Sequence, residues 1–284
     1  MATDNDKVRE FHFTDQDFER VRKLLYDHAG ISLSDAKRDL VYSRVARRLR
    51  ENNLTTFREY LIFLDAHEDE WESFINSLTT NLTSFFREAH HFQIFADHIK
   101  KVMNRRPIEI WCSAASTGEE PYSMAMTMVD LFGSYNPPVH ILATDIDTNV
   151  LRKAQEGVYS ADRIEKLPVD TLKRFFLKGK SDQEGMVRVR PELREMITFR
   201  QLNLLDEKWP IRGPFEAIFC RNVMIYFDKP TQYKILKKFI PTMRRDGLLF
   251  AGHSESFHHA VDLFKIQGKT VYSIAEPAKH LAQP

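Results

Sequence analysis

The chain has 284 residues, more than one domain usually holds, so two units are expected. Its 41 Lys and Arg against 40 Asp and Glu leave a formal net charge of +1, which excludes a surface that binds nucleic acid or anionic membrane as a whole. The first residues, Met1-Ala2-Thr3-Asp4-Asn5-Asp6, have neither a basic nor an apolar targeting region, and no apolar run approaches a membrane span, so a soluble cytoplasmic protein is expected.

Residues 1–80 read as a small helical domain. Phe18, Val21, Leu24, Leu25 and His28 recur at helical spacing, and Ala29-Gly30 closes the segment with a C-terminal glycine. A second helix is predicted from Asp35 to Arg50. A third begins at the capping box Thr56-Phe57-Arg58-Glu59, and Trp71, Phe74, Ile75 and Leu78 form the stripe of a fourth. On the second helix Lys37, Arg44 and Arg48 fall on one side and Val41, Tyr42, Val45 and Leu49 on another; Arg38, Arg47 and Arg50 widen the cationic side, which only Asp39 offsets between Lys37 and Arg50. A merely solvated face would account for this charge, and an acidic partner is the competing explanation. No aromatic platform for bases accompanies it, so an acidic protein helix fits better than nucleic acid.

Residues 81–106 read as a linker and connecting helix. From Pro107 short β-rich runs alternate with helical segments, the pattern of a mostly parallel sheet. Ile108-Glu109-Ile110-Trp111-Cys112 is a buried strand that runs through Ser113-Ala114-Ala115-Ser116-Thr117-Gly118 into a helix. The turn has one glycine where a dinucleotide fingerprint wants three, and Glu119 and Glu120 stand where a pyrophosphate would sit, which disfavours a phosphate ligand. A second strand, Val139 to Asp145, ends in an acid placed to accept hydrogen bonds from ribose hydroxyls. A nucleoside without phosphate points to S-adenosylmethionine.

Further strands are predicted at Thr198–Asn203, Phe215–Asn222 and Gly247–His253, with a helix from about Thr231 to Met243. Phe264–Ile266 and Thr270–Ala275 form a hairpin, hence an antiparallel strand at the end of the chain. Between about 177 and 200, Gly179, Gly185, the alternation Met186-Val187-Arg188-Val189-Arg190 and then Pro191 indicate a small β insertion. Cys112 and Cys220 read as reduced core residues. The pairs His90-His91 and His258-His259 point in different directions on a helix and give no shared ligand face, so no metal is expected. The fold class is therefore α/β: an all-helical N-terminal domain, then a Rossmann-like domain over 107–284 carrying the insertion.

Five motifs, Thr79-Thr80-Asn81-Leu82-Thr83-Ser84-Phe85-Phe86-Arg87-Glu88, Ser113 through Ser123, Thr144-Asp145-Ile146-Asp147, Cys220-Arg221-Asn222-Val223-Met224-Ile225-Tyr226-Phe227 and Gly252-His253-Ser254-Glu255, together resemble the chemotaxis receptor methyltransferases, the CheR family. The likeness runs from about Phe13 to Ala275. It implies an S-adenosylmethionine-dependent O-methyltransferase that esterifies glutamates on cytoplasmic receptor helices and releases S-adenosylhomocysteine. By the family pattern Asn81, Thr83 and Arg87 approach the cofactor from the segment joining the domains, Glu120 and Asp145 hold it from the sheet, and Asn203, Leu204, Arg221 and Asn222 line the rest. Whether Glu119 or Glu120 makes the contact stays open. The basic helix, through Lys37, Arg38, Arg44, Arg47 and Arg48, becomes the docking surface for receptor helices, the insertion a candidate binder of a receptor tail peptide, and the protein a monomer.

A glutamate, ionised at neutral pH because its ordinary pKa is about 4.3, attacks a sulfonium methyl without a general base. Opposite charges cancel on the way to the transition state, so a water-poor pocket helps. Arg87 is expected to orient the acceptor carboxylate and Tyr226 to place a hydroxyl beside the methyl. Two alternatives remain: a methyltransferase for another protein or nucleic-acid acceptor, and a non-catalytic module that senses S-adenosylmethionine and binds receptors.

Overall fold

Thr14 and Thr56 start helices in the same way: each hydroxyl accepts the backbone N–H three residues on, and Asp17 or Glu59 reaches back to the cap. In this computed structural model, which describes residues 9–79, 81–103 and 107–283, they open two of the helices α1 (Asp15–Ala29), α2 (Arg38–Glu51), α3 (Phe57–Ala66) and α4 (Glu68–Leu78). Gly30 ends α1 in the left-handed conformation, as its position predicts. The second helix begins later than expected, because Asp35–Lys37 forms a separate 3₁₀ turn. These elements belong to one compact unit, Met1–Thr80, whose core joins Phe18, Val21 and Leu25 to Val41, Val45, Leu49, Tyr60, Leu64 and Phe74.

The second unit, Asn81–Pro284, starts with α5 (His90–Val102). There follow β1 (Ile108–Cys112), α6 (Glu119–Phe132), β2 (Val139–Asp145), α7 (Thr148–Glu156), β3 (Val158–Ser160), α8 (Val169–Phe175), β4 (Phe176–Lys178), β5 (Met186–Val189) and α9 (Pro191–Glu195). The unit is completed by β6 (Ile197–Gln201), β7 (Phe215–Cys220), α10 (Lys229–Phe239), β8 (Met243–Ala251), β9 (Phe264–Gly268) and β10 (Val271–Ile274). A seven-stranded sheet has the order β6-β2-β1-β7-β8-β10-β9. The first five are parallel; β10 is antiparallel to both of its neighbours, so the predicted hairpin inserts the last strand of the chain one place in from the edge.

The continuous apolar runs of β1 and β7 follow from burial on both faces. Ile110, Cys112 and Phe219 face α5 and α6, while Trp111, Ile218 and Cys220 face α10. Helix α5, expected as a connector, is a layer of this core: Phe95 sets its ring edge-on to Phe219 at 5.2 Å and to Phe250 at 6.2 Å. On the other face Trp111 meets Trp209 and Phe239 at 5.1 and 5.2 Å.

The insertion is displaced from its predicted bounds. A separate three-stranded antiparallel sheet, ordered β3-β5-β4, begins at Val158, and Ile197–Gln201 belongs instead to the main sheet, paired with Ile141–Asp145. Strand β3 is only three residues long and directly follows the helix-ending Gly157, so no alternation marks it. Pro191, expected in extended chain, opens the short helix α9. The predicted helix ending at Met243 stops at Phe239, with Pro241 in a following 3₁₀ turn, and β8 starts four residues before the expected Gly247.

Candidate cofactor and catalytic site

Strand order reverses at β1, which lies between β2 and β7, and the carboxyl end of such a reversal is where a doubly wound sheet opens a crevice. The loop leaving β1 is tied across it: Ala115 N–H donates to the Thr144 carbonyl at 2.8 Å and Ser113 Oγ to that of Phe219 at 3.2 Å. Gly118 caps α6 with φ +98°, and a Cβ there would lie 2.9 Å from both Ala154 Cβ and Tyr159 Oη. No other residue fits that turn.

Asp145 ends β2 almost buried. One carboxylate oxygen accepts Ser116 N–H at 2.8 Å and the other Asp147 N–H at 3.0 Å, and burial, against those hydrogen bonds, pushes its pKa up to about 6. Asn81 Nδ2 donates to Asp147 Oδ2 at 2.8 Å, and its carbonyl accepts Ser116 Oγ–H at 3.0 Å, so the start of the 81–88 segment is fastened to the same loop.

Glu119 and Glu120 have different environments. Glu119 is fully buried, accepts the Thr117 hydroxyl at 2.6 Å and pairs with Arg163, which also donates to the Thr83 carbonyl at 3.1 Å. Glu120 accepts Arg221 Nη1 at 2.6 Å and the Cys112 thiol at 3.3 Å; burial raises its pKa and Arg221 opposes the rise.

Arg221 departs from the sequence expectation. Its side chain is 1% exposed, with Nη2 donating to the Arg87 carbonyl at 2.6 Å and standing 3.2 Å from Glu88 Oε2. Its charge is consumed inside the protein, so it does not line the crevice as a free cation; it ties β7 to α6 and to the 86–88 loop. Phe86 and Glu88 in that loop both have positive φ, a conformation that persists only when the surroundings over-determine it. Besides Arg221, Ser123 Oγ accepts Phe86 N–H at 2.9 Å, and Glu88 accepts His253 N–H at 3.1 Å. Arg87 itself is half-buried and donates to the Leu82 carbonyl at 3.0 Å.

Asn203 and Leu204 follow β6, beside the end of β2. Asn203 Oδ1 accepts Leu205 N–H at 3.0 Å, and the Leu204 side chain is buried while its carbonyl accepts Lys238 Nζ at 2.7 Å. Tyr226, expected at a strand end, sits on a 3₁₀ turn, Met224–Tyr226, because β7 stops at Cys220 and Asn222 turns the chain with φ +59°.

His91 is fully buried beside Glu88, with burial lowering its pKa to about 4, so it is neutral near pH 7. Contrary to the expectation of no shared face, donor atoms of Glu88, His90 and His91 all lie within 4.8 Å of one another. The left-handed Glu88 folds its carboxylate back over the first turn of α5. Arg221 already supplies a cation to that carboxylate. A cavity of about 400 Å³ lined by Glu109, His140, Thr198, Arg200 and Arg212 lies toward the amino ends of β1 and β2, away from Asp145.

The predicted docking residues of the helical unit are mostly occupied. Arg48 holds Glu70 through Nε and Nη2 at 2.8 and 2.5 Å, Tyr60 donates to the same carboxylate at 2.7 Å, and Arg48 also pairs with Glu51. Arg44 donates to the Ser77 and Thr79 carbonyls at the end of α4. Arg38 pairs with Asp15 at 2.7 Å and lies over the Phe13 ring. Arg47 is exposed beside Glu51, and Lys37 is exposed with no ionic partner among the described residues. The cationic face is thus much weaker than counting along α2 implies, because Asp15 and Glu70 from other segments join Glu51 at the helix's own end in neutralising it.

Comparison with known proteins agrees with this architecture. Residues 81–273 match the CheR methyltransferase SAM-binding domain, and residues 16–79 the CheR methyltransferase all-alpha domain. The chain is 53% identical over 268 residues to chemotaxis protein methyltransferase 2 of Pseudomonas aeruginosa, covering 94% of this chain and 96% of that protein. It is 50% identical over 265 residues to the chemotaxis protein methyltransferase of Escherichia coli, covering 93% and 92%. Fold and site define an S-adenosylmethionine-binding methyltransferase. The chain belongs to the CheR family of chemotaxis methyltransferases.

Glu88, Ser123, Asp147 and Arg163 also hold this region together, though none is among the expected site residues. Glu88, Ser123 and Asp147 stand within the five motifs, so their place in the chain was a usable signal; Arg163 lies outside all five and had none.

Proposed function

We propose that the chain methylates the γ-carboxylate of specific glutamates on cytoplasmic helices of bacterial chemoreceptors, giving a glutamate methyl ester and S-adenosylhomocysteine. The observation that carries this is the gathering of Asp145, Glu120 and the Asn81–Arg87 segment at the carboxyl ends of the central strands, in a chain whose relatives are chemotaxis methyltransferases. S-adenosylmethionine, when bound, supplies a methyl group on a cationic sulfur. Asp145 accepts the ribose hydroxyls, since a carboxylate that takes backbone N–H groups on both oxygens keeps acceptor capacity. Glu120, whose side chain keeps 11% of its surface exposed, meets the α-ammonium, Glu119 being fully buried against Thr117 and Arg163. Asn81 and Thr83 close one side, and Asn203, Leu204 and Asn222 the other. Arg87 orients the acceptor carboxylate, which is already ionised and needs no base, and Tyr226 presents its hydroxyl beside the methyl. Lys37 and Arg47 contribute most to receptor docking, and the β4 edge of the small sheet accepts a receptor tail as an added strand. Work as a cytoplasmic monomer on protein, without nucleic acid, is part of the same proposal.

The test is transfer of radiolabelled methyl to receptor cytoplasmic fragments with and without their tails. Base-labile label, with the tailed fragment modified at lower concentration, is expected. Base-stable label would assign another acceptor and absent label a binding module, and either rejects the proposal. Equal rates with and without the tail reject the β4 contact alone.

The elevated pKa of Asp145 gives a second expectation. Affinity for S-adenosylmethionine should be full above neutrality and weaken as pH falls through about 6, where the carboxylate is protonated. Because this pKa lies above the ordinary value of about 3.9, the unliganded protein gains stability from this group as pH falls over the same range. Binding should therefore weaken while this contribution to stability rises. Calorimetric titration from about pH 5 to 8 checks it; a flat affinity profile would remove Asp145 from the ribose.

A further inference from the structure

The turn that carries Tyr226 is held from two sides by buried side chains that no step above uses. Glu255, 4% exposed, accepts the backbone N–H of Asn222 at 2.9 Å, that of Ile225 at 3.3 Å and that of Gly252. Gln232 on α10, 6% exposed, donates its side-chain amide to the Met224 carbonyl at 2.8 Å and the Phe227 carbonyl at 3.0 Å. One side chain therefore takes up N–H groups and the other C=O groups, and the two sets bracket residue 226 along the chain. Buried main-chain groups need such partners, and here buried side chains supply most of them, the Met224 carbonyl also accepting Phe227 N–H within the turn.

One further contact tightens the arrangement. A Cβ on Gly252 would lie 2.4 Å from Asn222 Nδ2 and 2.9 Å from its Cγ, so the Glu255 turn and the Asn222 turn pack backbone against side chain. Asn222 holds a positive φ, which needs support from its surroundings. The Tyr226 hydroxyl, in turn, bonds no protein group among the described residues. With nothing gripping the phenol itself, its direction follows from the backbone of the turn that carries it.

We infer that Glu255 and Gln232 are positioning residues for Tyr226: they fix the turn that aims the phenol, and neither touches substrate. This rests on the methyl-transfer proposal above, and specifically on the place given there to Tyr226.

A double-mutant cycle on the full chain, with a receptor cytoplasmic fragment as acceptor, tests it. Glu255→Gln puts an amide donor among N–H donors and should lower kcat about 10- to 100-fold, the scale of a misplacement near 1 Å, with KM for S-adenosylmethionine nearly unchanged. In a Tyr226→Phe background the same change should alter kcat by less than about two-fold, since the group being positioned is gone. Gln232→Leu approaches the turn from the other side and should behave alike, and it carries the test if circular dichroism finds Glu255→Gln unfolded. Equal losses of kcat in both backgrounds would overturn the positioning role alone. So would a loss confined to KM, which would assign the effect to Asn222. Full activity of Tyr226→Phe would overturn the positioning role together with the place proposed for Tyr226.

Discussion

Arg48→Met should cost the helical unit about 3 kcal/mol or more, because it leaves Glu70 buried without its cation. Glu70 keeps only 8% of its side-chain surface in water and Arg48 17%, and the Glu70 hydrogen bond raises the Arg48 pKa further. For a unit of this size such a loss lowers the melting temperature by about 10–20 °C. Removing the whole node with Arg48→Met, Glu70→Leu and Tyr60→Phe should cost less than the single change, since no charge or hydroxyl is then stranded. A melt of Arg48→Met within about 2 °C of the parent would refute the assignment. The contrast is with Lys37→Glu and Arg47→Glu. These should leave the melt unchanged and lower receptor methylation several-fold, with the difference shrinking as salt is raised. Reversal of Arg48 cannot test docking, because it breaks the fold first.

Arg221→Met should lower kcat/KM at least about 100-fold, roughly 2.7 kcal/mol. The guanidinium is the common partner of Glu120, Glu88 and the Arg87 carbonyl, so its loss strands two carboxylates and releases the loop that aims Arg87. Arg221→Lys should recover little of the loss: a single ammonium on a flexible stem cannot span Glu120 on α6 and the Arg87 carbonyl together. Initial rates with a receptor fragment, alongside a thermal melt, check both variants. Near-parental rates for the lysine variant would mean that charge alone matters there, not the fork geometry.

These two arginines mark where sequence was and was not enough. The capping box at Thr56, the strand ending at Asp145, the Gly118 turn and the final hairpin were legible because each depends on a few consecutive residues and on main-chain geometry. Strand β3 was not, being too short for any period to register, and its absence from the prediction moved the insertion about twenty residues along the chain. Helix α5 was seen as a helix but not as a core layer, because its amphipathic stripe says that it packs and not against what.

The same division holds at the site. Glu119 and Glu120 are adjacent and chemically alike, and the approach of Arg163 to one and Arg221 to the other gives them different environments. The chain by itself determined the helical and α/β halves, the family and the candidate cofactor residues, since periodicity and short motifs are properties of neighbouring positions. The tertiary structure alone decided which charges are free. Arg48 finds Glu70 22 residues away and Arg221 finds Glu120 101 residues away, and an ion pair between distant positions exists only once the elements carrying them have packed.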